Sequence, residues 1–309
     1  MRIAICVATY RRPVMLGALL ESLAQQVFDS DASIEPCVVV VDNDAAGSAR
    51  DVVEAARENL TWPLHSVVEP TRSISHARNR AVAVALAERA EWIAFIDDDE
   101  VASPGWLASL VRVQRAYAAN VVGGPVISRY PPDTAAWMKD TDFLTRAANR
   151  TGDAIRTAET ANVLVSARLL ASLDGPFDPA FGRAGGGDSH LFLRARLAGA
   201  RMVWSADAIV TETVPPSRAR MSWLLQRAYR MGNCGGHVER AVLPRARWMP
   251  RRVLVAFARL ALGTGMLVAS PIRGRGAMAR ALWQLSLALG SISGVLGLRY
   301  VEYRGSHGH

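Results

Sequence analysis

Four consecutive acidic residues, Asp97–Glu100, directly follow the apolar stretch Trp92–Ile96. Adjacent carboxylates repel each other, so such a cluster is costly unless it has partners. Side chains two positions apart in an extended chain share a face, which predicts that Asp97 and Asp99 point together while Asp98 points elsewhere. Two convergent carboxylates are hard oxygen ligands, suited to Mg²⁺ or Mn²⁺ that also holds phosphate oxygens. A solvated acidic turn before the next helix is the alternative interpretation.

A further acidic residue, Asp188, follows three glycines, Gly185–Gly187, where a helix is predicted over 188–199. Glycine lets the backbone approach a ligand closely, and a carboxylate at a helix N-terminus is stabilised by the helix dipole. A helix cap alone would explain Asp188 but not three glycines in a row, which cost backbone entropy. Both interpretations, a functional carboxylate and a helix cap, stay open from these residues alone.

Residues 1–130 alternate strand and helix patterns that would position these side chains. The apolar runs that predict strands are Ile3–Ala8, Cys37–Val41, Leu64–Val68 and Trp92–Ile96. Helices are predicted between them, over 13–26, 48–59 and 75–89. Strands that are apolar on both faces and separated by helices predict an α/β fold, with a mostly parallel sheet covered on both sides.

The carboxyl ends of parallel strands meet at one edge of such a sheet. Polar residues follow the predicted strands at these ends: Thr9-Tyr10-Arg11, Asp42-Asn43-Asp44, Glu69 and Asp97-Asp98-Asp99. We therefore expect them to converge on one rim, where open α/β sheets bind their ligands.

The alternation fades beyond residue 125. Residues 128–142 have the composition of a loop, whereas strands are predicted at Asn162–Ser166 and Met202–Trp204 and a helix at Met221–Met231. Pro215-Pro216 marks a boundary. It divides the chain into a predicted catalytic domain, 1–215, and a basic, apolar helical region, 216–309.

The charge distribution follows the same division. The formal net charge is +8. Up to Glu212 there are 21 lysines and arginines against 26 aspartates and glutamates, whereas from Thr213 onward there are 15 arginines against two glutamates. These arginines punctuate apolar stretches and form no polar basic stripe, which favours an anionic membrane surface over nucleic acid as a partner.

Two apolar stretches, 253–272 and 281–298, are candidates for membrane association. The second has no charge and contains Gly290-x-x-x-Gly294, a small-residue packing pattern. Two membrane spans would place the arginines between them outside, against the positive-inside tendency. Helices lying in the cytoplasmic membrane interface, or a re-entrant hairpin, avoid this conflict and are preferred. True spans and a soluble element that forms a homo-oligomer are the alternatives.

Three cysteines, none in a C-x-x-C pair, favour a reducing compartment and argue against a zinc-ribbon site. The first apolar run, Ile3–Ala8, is too short for a signal peptide. We therefore expect the protein at the cytoplasmic face of the membrane.

Taken in order, these motifs resemble those of family 2 glycosyltransferases, which have the GT-A fold and invert the anomeric centre. The resembling segments lie within about residues 1–215 and are Ile5–Pro13, Val40–Asn43, Ala77–Asn79, Phe95–Asp99, and Gly185–Asp188 followed by Leu191–Arg194. Each segment alone is weak, and the ordered series is specific.

The resemblance implies a role for each matching residue. Thr9, Tyr10 and Arg11 would line the nucleotide pocket, Asp42 would contact the base, and Arg78 would help to hold the nucleotide. Asp97 and Asp99 would form the DxD pair at the metal, with Asp99 its direct ligand, and Asp97 and Asp98 would bind the nucleotide-sugar. Asp188 would be the catalytic base. Arg227 and Arg230 would take the place of a basic element that binds the diphosphate.

Two departures from the family pattern narrow the expected activity. Gly187-Asp188 replaces the Glu-Asp pair that is frequent in the family, and the Gln-x-x-Arg-Trp motif of processive members is absent. The chain is therefore most similar to members that add single sugars to lipid-linked exopolysaccharide intermediates, such as the succinoglycan-type enzymes.

The resemblance thus implies an inverting enzyme dependent on Mn²⁺ or Mg²⁺ that moves a hexose from a nucleotide-sugar, with uridine as the expected base, to a polyprenyl-diphosphate-linked saccharide. A sugar-nucleotide pyrophosphorylase is one alternative, but the residues after the first strand, Thr9–Pro13, lack its glycine- and lysine-rich phosphate loop. A non-catalytic sugar- or membrane-binding scaffold with the same fold is the other alternative.

Overall fold

The computed structural model describes residues 1–28, 33–146, 149–182 and 185–300. Its strands are β1 (Arg2–Thr9), β2 (Glu35–Asp42), β3 (Leu64–Val68), β4 (Trp92–Ile96), β5 (Glu100–Ala102), β6 (Val121–Gly123), β7 (Val126–Arg129), β8 (Asn162–Ser166), β9 (Met202–Trp204) and β10 (Val210–Thr213). Its helices are α1 (Pro13–Ala24), α2 (Arg50–Ala56), α3 (Ile74–Ala87), α4 (Trp106–Tyr117), α5 (Ala136–Thr141), α6 (Ala167–Ser172), α7 (Gly187–Leu197), α8 (Met221–Val242), α9 (Arg245–Arg273) and α10 (Arg275–Val295).

Seven strands form the central sheet in the order β3-β2-β1-β4-β8-β6-β9. Strands β3, β2, β1 and β4 are mutually parallel, which places Thr9 opposite Asp42 at their carboxyl ends. This confirms the predicted α/β class and the mostly parallel sheet.

One central strand, β8, runs antiparallel to both of its neighbours, which the sequence did not predict. Asn162, its first residue, pairs with Ile96, the last residue of β4. The antiparallel direction therefore brings the residues that precede β8 to the rim where the acidic cluster follows β4.

Helices cover both faces of the sheet. Side chains that alternate along β1 enter two cores: Ile3, Ile5 and Val7 pack with residues of α1, α2 and α4, whereas Ala4 and Cys6 pack with residues of α3, α6 and α7. Burial of both strand faces fixes the register, because a one-residue slip would exchange the two sets.

A second, three-stranded sheet has the order β5-β10-β7. It contains part of the segment 128–142, so the prediction of a loop there is wrong: β7 ends at Arg129 and α5 follows at Ala136–Thr141. The strands are three or four residues long, too short to produce a readable period-two pattern.

The C-terminal helices pack on each other at close range. Helix α8 continues to Val242, well beyond the predicted end at Met231. A Cβ atom on Gly290 of α10 would lie 1.9 Å from the Tyr229 carbonyl oxygen of α8, and one on Gly294 would lie 2.6 Å from that of Asn233. The Gly290-x-x-x-Gly294 pattern therefore lets α10 pack directly against α8.

Within the described residues, one helix is long and apolar enough to cross a membrane, namely α9. Only 17% of its most apolar 18-residue window is buried. The other predicted apolar stretch forms α10, whose apolar and small residues are largely buried against α8 and α9. The two stretches therefore differ in kind: α9 presents apolar surface outward, whereas α10 fills the space between helices.

Candidate active site

The side chain of Arg78 joins two acidic residues that are far apart in sequence. Its Nη1 atom donates a hydrogen bond to Asp188 Oδ1 and its Nη2 atom donates one to Asp97 Oδ1, both at 3.0 Å. Arg78 lies in the second turn of α3 and its side chain is 14% exposed. The acidic cluster after β4 and the start of α7 therefore face a shared cleft.

Asp188 lies in the first turn of α7, but its carboxylate does not cap the helix. The N-cap position is Gly186, and no side chain bonds to the first backbone N–H groups. Asp188 instead accepts hydrogen bonds from Arg78 and from Thr160, whose hydroxyl is 2.9 Å from both carboxylate oxygens and whose backbone N–H donates to Oδ2 at 3.1 Å. The helix-cap interpretation is therefore wrong.

Two of the three glycines before Asp188 are required by the conformation of the backbone. Gly185 and Gly186 have φ angles of 78° and 90°, in the left-handed region that L-residues avoid. A Cβ on Gly186 would also lie 3.3 Å from the Cys234 Cβ of α8. Glycine thus permits both the turn into α7 and the close approach of α8.

The acidic cluster forms a turn and does not continue as an extended strand, because the Glu100 backbone N–H donates to the Asp97 carbonyl at 3.2 Å. The alternation predicted for an extended chain, with Asp97 and Asp99 on one face and Asp98 on the other, therefore does not apply here. Asp98 is buried and accepts hydrogen bonds from the Thr9 hydroxyl at 2.8 Å and from Arg12 at 3.0 Å. The same Arg12 nitrogen donates to Asp99 at 3.1 Å, so Asp98 and Asp99 share one cation.

Negative charge accumulates in this turn. Burial raises the pKa of Asp98 to about 6, against the opposing effect of Arg12. Burial and the neighbouring Asp97 also raise the pKa of Asp99, and burial raises the pKa of Glu100 well above its usual range. Burial and mutual repulsion therefore both raise the energy of the ionised carboxylates in this turn, and the arginines in contact with them lower it.

Two further arginines, both later in the sequence than the acidic turn, face the cluster. Arg218 donates to Glu212 at 2.9 Å and lies 3.9 Å from Asp99. Arg146 pairs with Glu159 at 3.0 Å and lies 3.9 Å from both Glu100 and Glu212.

Helix α8 contributes Arg227 to the same region. Burial, followed by the charges of Arg146 and Arg230, lowers the pKa of Arg227 to about 10. The guanidinium carbons of Arg218 and Arg227 lie 5.9 and 5.4 Å from the ring centre of Trp223, so both stack on one indole. The indole thus links the two cations beside the acidic cleft.

The predicted nucleotide-binding residues lie together at the ends of β1 and β2. The Tyr10 ring has Arg11 at 5.2 Å and Arg72 at 4.7 Å from its centre. Arg11 has a positive φ of 54° and donates to Asp44 at 2.8 Å. This part of the rim carries an aromatic ring between two cations.

Asp42 is buried and its carboxylate is occupied by its own loop. It accepts hydrogen bonds from the backbone N–H groups of Asp44 at 2.9 Å and Ala49 at 2.7 Å, and from the Ser48 hydroxyl. These bonds hold the turn between β2 and α2. A contact with the nucleotide base stays a prediction.

Sequence reasoning missed several residues of this cleft: Arg12, Arg72, Arg146, Thr160 and Arg218. Arg12 could have been predicted, because it adjoins Tyr10-Arg11 at a predicted strand end. The others lie in loops, where no periodic pattern indicates which polar side chain turns inward.

The carboxylates of the acidic turn are suited to a hard cation that is also bound by the phosphates of a substrate. Among the described residues, no group of three or more histidines, cysteines and carboxylates is arranged to hold a metal alone. Mg²⁺ and Mn²⁺ usually take one or two carboxylates together with substrate phosphates. Asp97 and Asp99 would provide two such carboxylates, and the charge of Asp97 raises the pKa of Asp99.

The glycosyl transferase family 2 model matches residues 4–171, which include most of β1, strands β2 to β8 and the acidic turn. The chain belongs to glycosyl transferase family 2. This assignment confirms the predicted enzyme class and favours it over a sugar-nucleotide pyrophosphorylase.

Individual relatives agree with the family. The chain is 34% identical to the succinoglycan biosynthesis protein ExoM of Rhizobium meliloti (strain 1021), over 99% of this chain and 96% of that protein. Its fold is similar to that of the mannosyltransferase PcManGT from Pyrobaculum calidifontis in complex with GDP-Man and Mn²⁺, with a TM-score of 0.62, 20% identity, and coverage of 96% and 87% of the two chains. It is also similar to residues 1–349 of S. aureus TarS in complex with UDP, with a TM-score of 0.52, 18% identity, and coverage of 96% and 92%.

Proposed function

We propose that this family 2 glycosyltransferase transfers a single hexose from a nucleotide-sugar to a lipid-linked saccharide in exopolysaccharide or cell-surface glycan synthesis. The observation that carries the proposal is the Arg78 guanidinium, which joins Asp97 of the acidic turn to Asp188 at the start of α7. Likeness to the succinoglycan biosynthesis protein supports the biosynthetic setting.

In this proposal, Asp188 is the general base. The acceptor hydroxyl attacks the anomeric carbon, its proton passes to a carboxylate oxygen of Asp188, and the bond from the anomeric carbon to the diphosphate oxygen breaks with its electron pair leaving on the diphosphate. Attack opposite the leaving group inverts the anomeric configuration. The Asp188 side chain is 25% exposed, so an acceptor can reach it from the cleft.

Positive charge near the acidic turn would stabilise the departing diphosphate. Arg218 and Arg227 are both within reach of this region and are held by Trp223. Arg227 is largely buried beside other cations, which lowers its pKa to about 10 but leaves it charged at neutral pH. An incoming diphosphate would relieve this repulsion. Arg230, one turn further along α8, adds to the same positive field.

We propose Mn²⁺ or Mg²⁺ as the cofactor, held by Asp99 and Asp97 together with diphosphate oxygens. A divalent cation there would neutralise charge that develops on the leaving group. Asp98 stabilises the turn by accepting hydrogen bonds from the Thr9 hydroxyl and from Arg12. Tyr10, Arg11 and Asp42 would border the nucleotide at the ends of β1 and β2.

We propose further that α9 attaches the enzyme to the cytoplasmic face of the membrane, where a lipid-linked acceptor is found. Leu254, Phe257, Val268 and Ile272 expose more than half of their surface along this helix. Arginines flank the apolar segment on both sides, at 245–252 and 273–280. This combination fits an anionic bilayer surface.

The proposal is tested with the purified full chain in detergent. A panel of UDP- and GDP-sugars is incubated with Mn²⁺ or with chelator, and both nucleotide release and transfer to a polyprenyl-diphosphate saccharide are followed. We expect one donor to be used, with transfer dependent on the metal and an inverted anomeric configuration in the product by NMR. Nucleotide binding without turnover of any donor would instead indicate a scaffold.

A further inference from the structure

Among the described residues, Thr160 contacts the Asp188 carboxylate through both its hydroxyl and its backbone N–H. Its hydroxyl oxygen lies 2.9 Å from each carboxylate oxygen, and its backbone N–H donates to Oδ2 at 3.1 Å. The residue is 0% exposed, so bulk water does not compete for these hydrogen bonds. We infer that Thr160 is a positioning residue, which orients the carboxylate of the proposed base. This inference rests on the proposed function.

The surroundings of Thr160 are suited to holding a side chain still. Two residues later, Asn162 begins β8, and its amide donates to the carbonyls of Pro125 at 2.8 Å and Ala208 at 2.7 Å. The Asn162 amide oxygen in turn accepts from the Trp106 indole at 2.8 Å. Threonine is β-branched and its χ1 angle is restricted, which fixes the direction of the hydroxyl better than serine would.

The hydrogen-bond donors around Asp188 determine how its carboxylate is oriented. An ionised carboxylate offers about four lone-pair positions. The contacts described here supply one hydrogen from Arg78, one from the Thr160 backbone and one from the Thr160 hydroxyl. These donors approach the carboxylate from Arg78 and Thr160, and together they determine the direction from which the incoming hydroxyl of the acceptor reaches it.

The same bonds stabilise the ionised carboxylate, which is the form that accepts a proton. Loss of the Thr160 hydroxyl therefore has two effects: the carboxylate is less well oriented, and it binds a proton more readily. The second effect appears as a shift of the acid limb of the pH–rate profile to higher pH. A residue that only fills space would produce no such shift.

The test compares Thr160→Val, which keeps the shape of the side chain but removes the donor, with Thr160→Ser, which keeps the hydroxyl. Thr157→Val is the matched control, because Thr157 is exposed in the same loop and its hydroxyl does not contact Asp188. Steady-state kinetics, the pH–rate profile and nucleotide binding by calorimetry are measured for each full-length variant. If Thr160→Val does not fold, Thr160→Ala takes its place with the same expectations.

We expect Thr160→Val to lower kcat by about 10- to 100-fold, the usual effect of losing a hydrogen bond to a charged group. Its KM for the donor and its nucleotide affinity should change less than about threefold, since orientation affects the chemical step. Its acid limb should move to higher pH. Thr160→Ser should recover most of kcat, and Thr157→Val should match the wild type.

Three results would be contrary, and they have two different meanings. The positioning role is overturned if Thr160→Val keeps the wild-type kcat and acid limb while Asp188→Asn is inactive. It is also overturned if Thr160→Val and Thr160→Ser lose activity equally with no shift of the acid limb. In both cases the proposed function stands. If Asp188→Asn is fully active, the proposed base itself is overturned.

Discussion

Asp97 and Asp188 accept hydrogen bonds from the two terminal nitrogens of one guanidinium, that of Arg78, each at 3.0 Å. The acidic turn after β4 and the proposed base at the start of α7 are therefore fixed relative to each other by a single side chain. The planar guanidinium holds the two carboxylates in fixed directions, whereas a lysine ammonium is a compact charge on a flexible stem.

Replacement of Arg78 by lysine should therefore disrupt catalysis although the charge is kept. We expect kcat/KM to fall by about 10- to 100-fold, because one of the two carboxylates loses its charged donor. Arg80→Lys is the matched control, since Arg80 is exposed on the same helix. Kinetics and thermal unfolding of both variants check this, and equal activity in the two variants would show that the bridge is dispensable.

Metal removal should abolish transfer if Asp97 and Asp99 hold a divalent cation. We expect chelator to stop turnover, added Mn²⁺ or Mg²⁺ to restore it, and Asp99→Asn to raise the metal concentration for half-maximal activity by at least about 10-fold, because a neutral amide is a weaker ligand than a carboxylate. Asp133→Asn, an exposed carboxylate elsewhere, is the control. Full activity in chelator would contradict the proposed cofactor.

Asp98 should make stability depend on pH in a particular direction. Burial raises its pKa to about 6, above the value of an unfolded aspartate, so the folded state binds the extra proton between about pH 4 and 6. The contribution of Asp98 to the free energy of unfolding is therefore greatest at low pH, and it declines as the pH rises through 6. The melting temperature of the wild type relative to Asp98→Asn should thus fall by several degrees over this interval. A rise over the same interval would contradict the assignment.

Much of the fold follows from the sequence because its central strands are uninterrupted apolar runs. Strands β3, β4, β8 and β9 have the predicted bounds. The direction of β8 was not predictable, since an apolar run is the same read from either end. That direction decides the site, because it brings Thr160 beside Asp188.

Other differences have local causes. The prediction ended α8 at Met231, just before Gly232, yet a Cβ on Gly232 would lie 2.2 Å from the Leu287 carbonyl oxygen of α10. Glycine there permits helix packing and does not stop the helix. The acidic residues Asp97 and Asp188 were found from their types and neighbours, whereas Arg146 and Arg218 are single charges in irregular segments and become visible only through their ion pairs.

Membrane attachment through α9 should depend on its outward apolar side chains. Phe257 and Ile272 are 62% and 93% exposed. We expect the double variant Phe257→Ser and Ile272→Ser to lower partitioning to vesicles containing anionic lipid by at least about 10-fold, from the lost burial of two large side chains. Val14→Ser and Met15→Ser on α1, which are also exposed, form the control pair. Flotation measures the bound fraction, and unchanged binding of the α9 variant would exclude this helix as the anchor.

The most direct test of the proposed mechanism is Asp188→Asn, assayed for nucleotide binding and for sugar transfer in the same preparation. The amide keeps the size of the side chain but does not accept a proton at neutral pH. We predict that the variant binds the nucleoside diphosphate within about threefold of the wild type while its kcat falls by at least about 100-fold, the range found for loss of a general base. Wild-type transfer by this variant would contradict the role of Asp188 as the base.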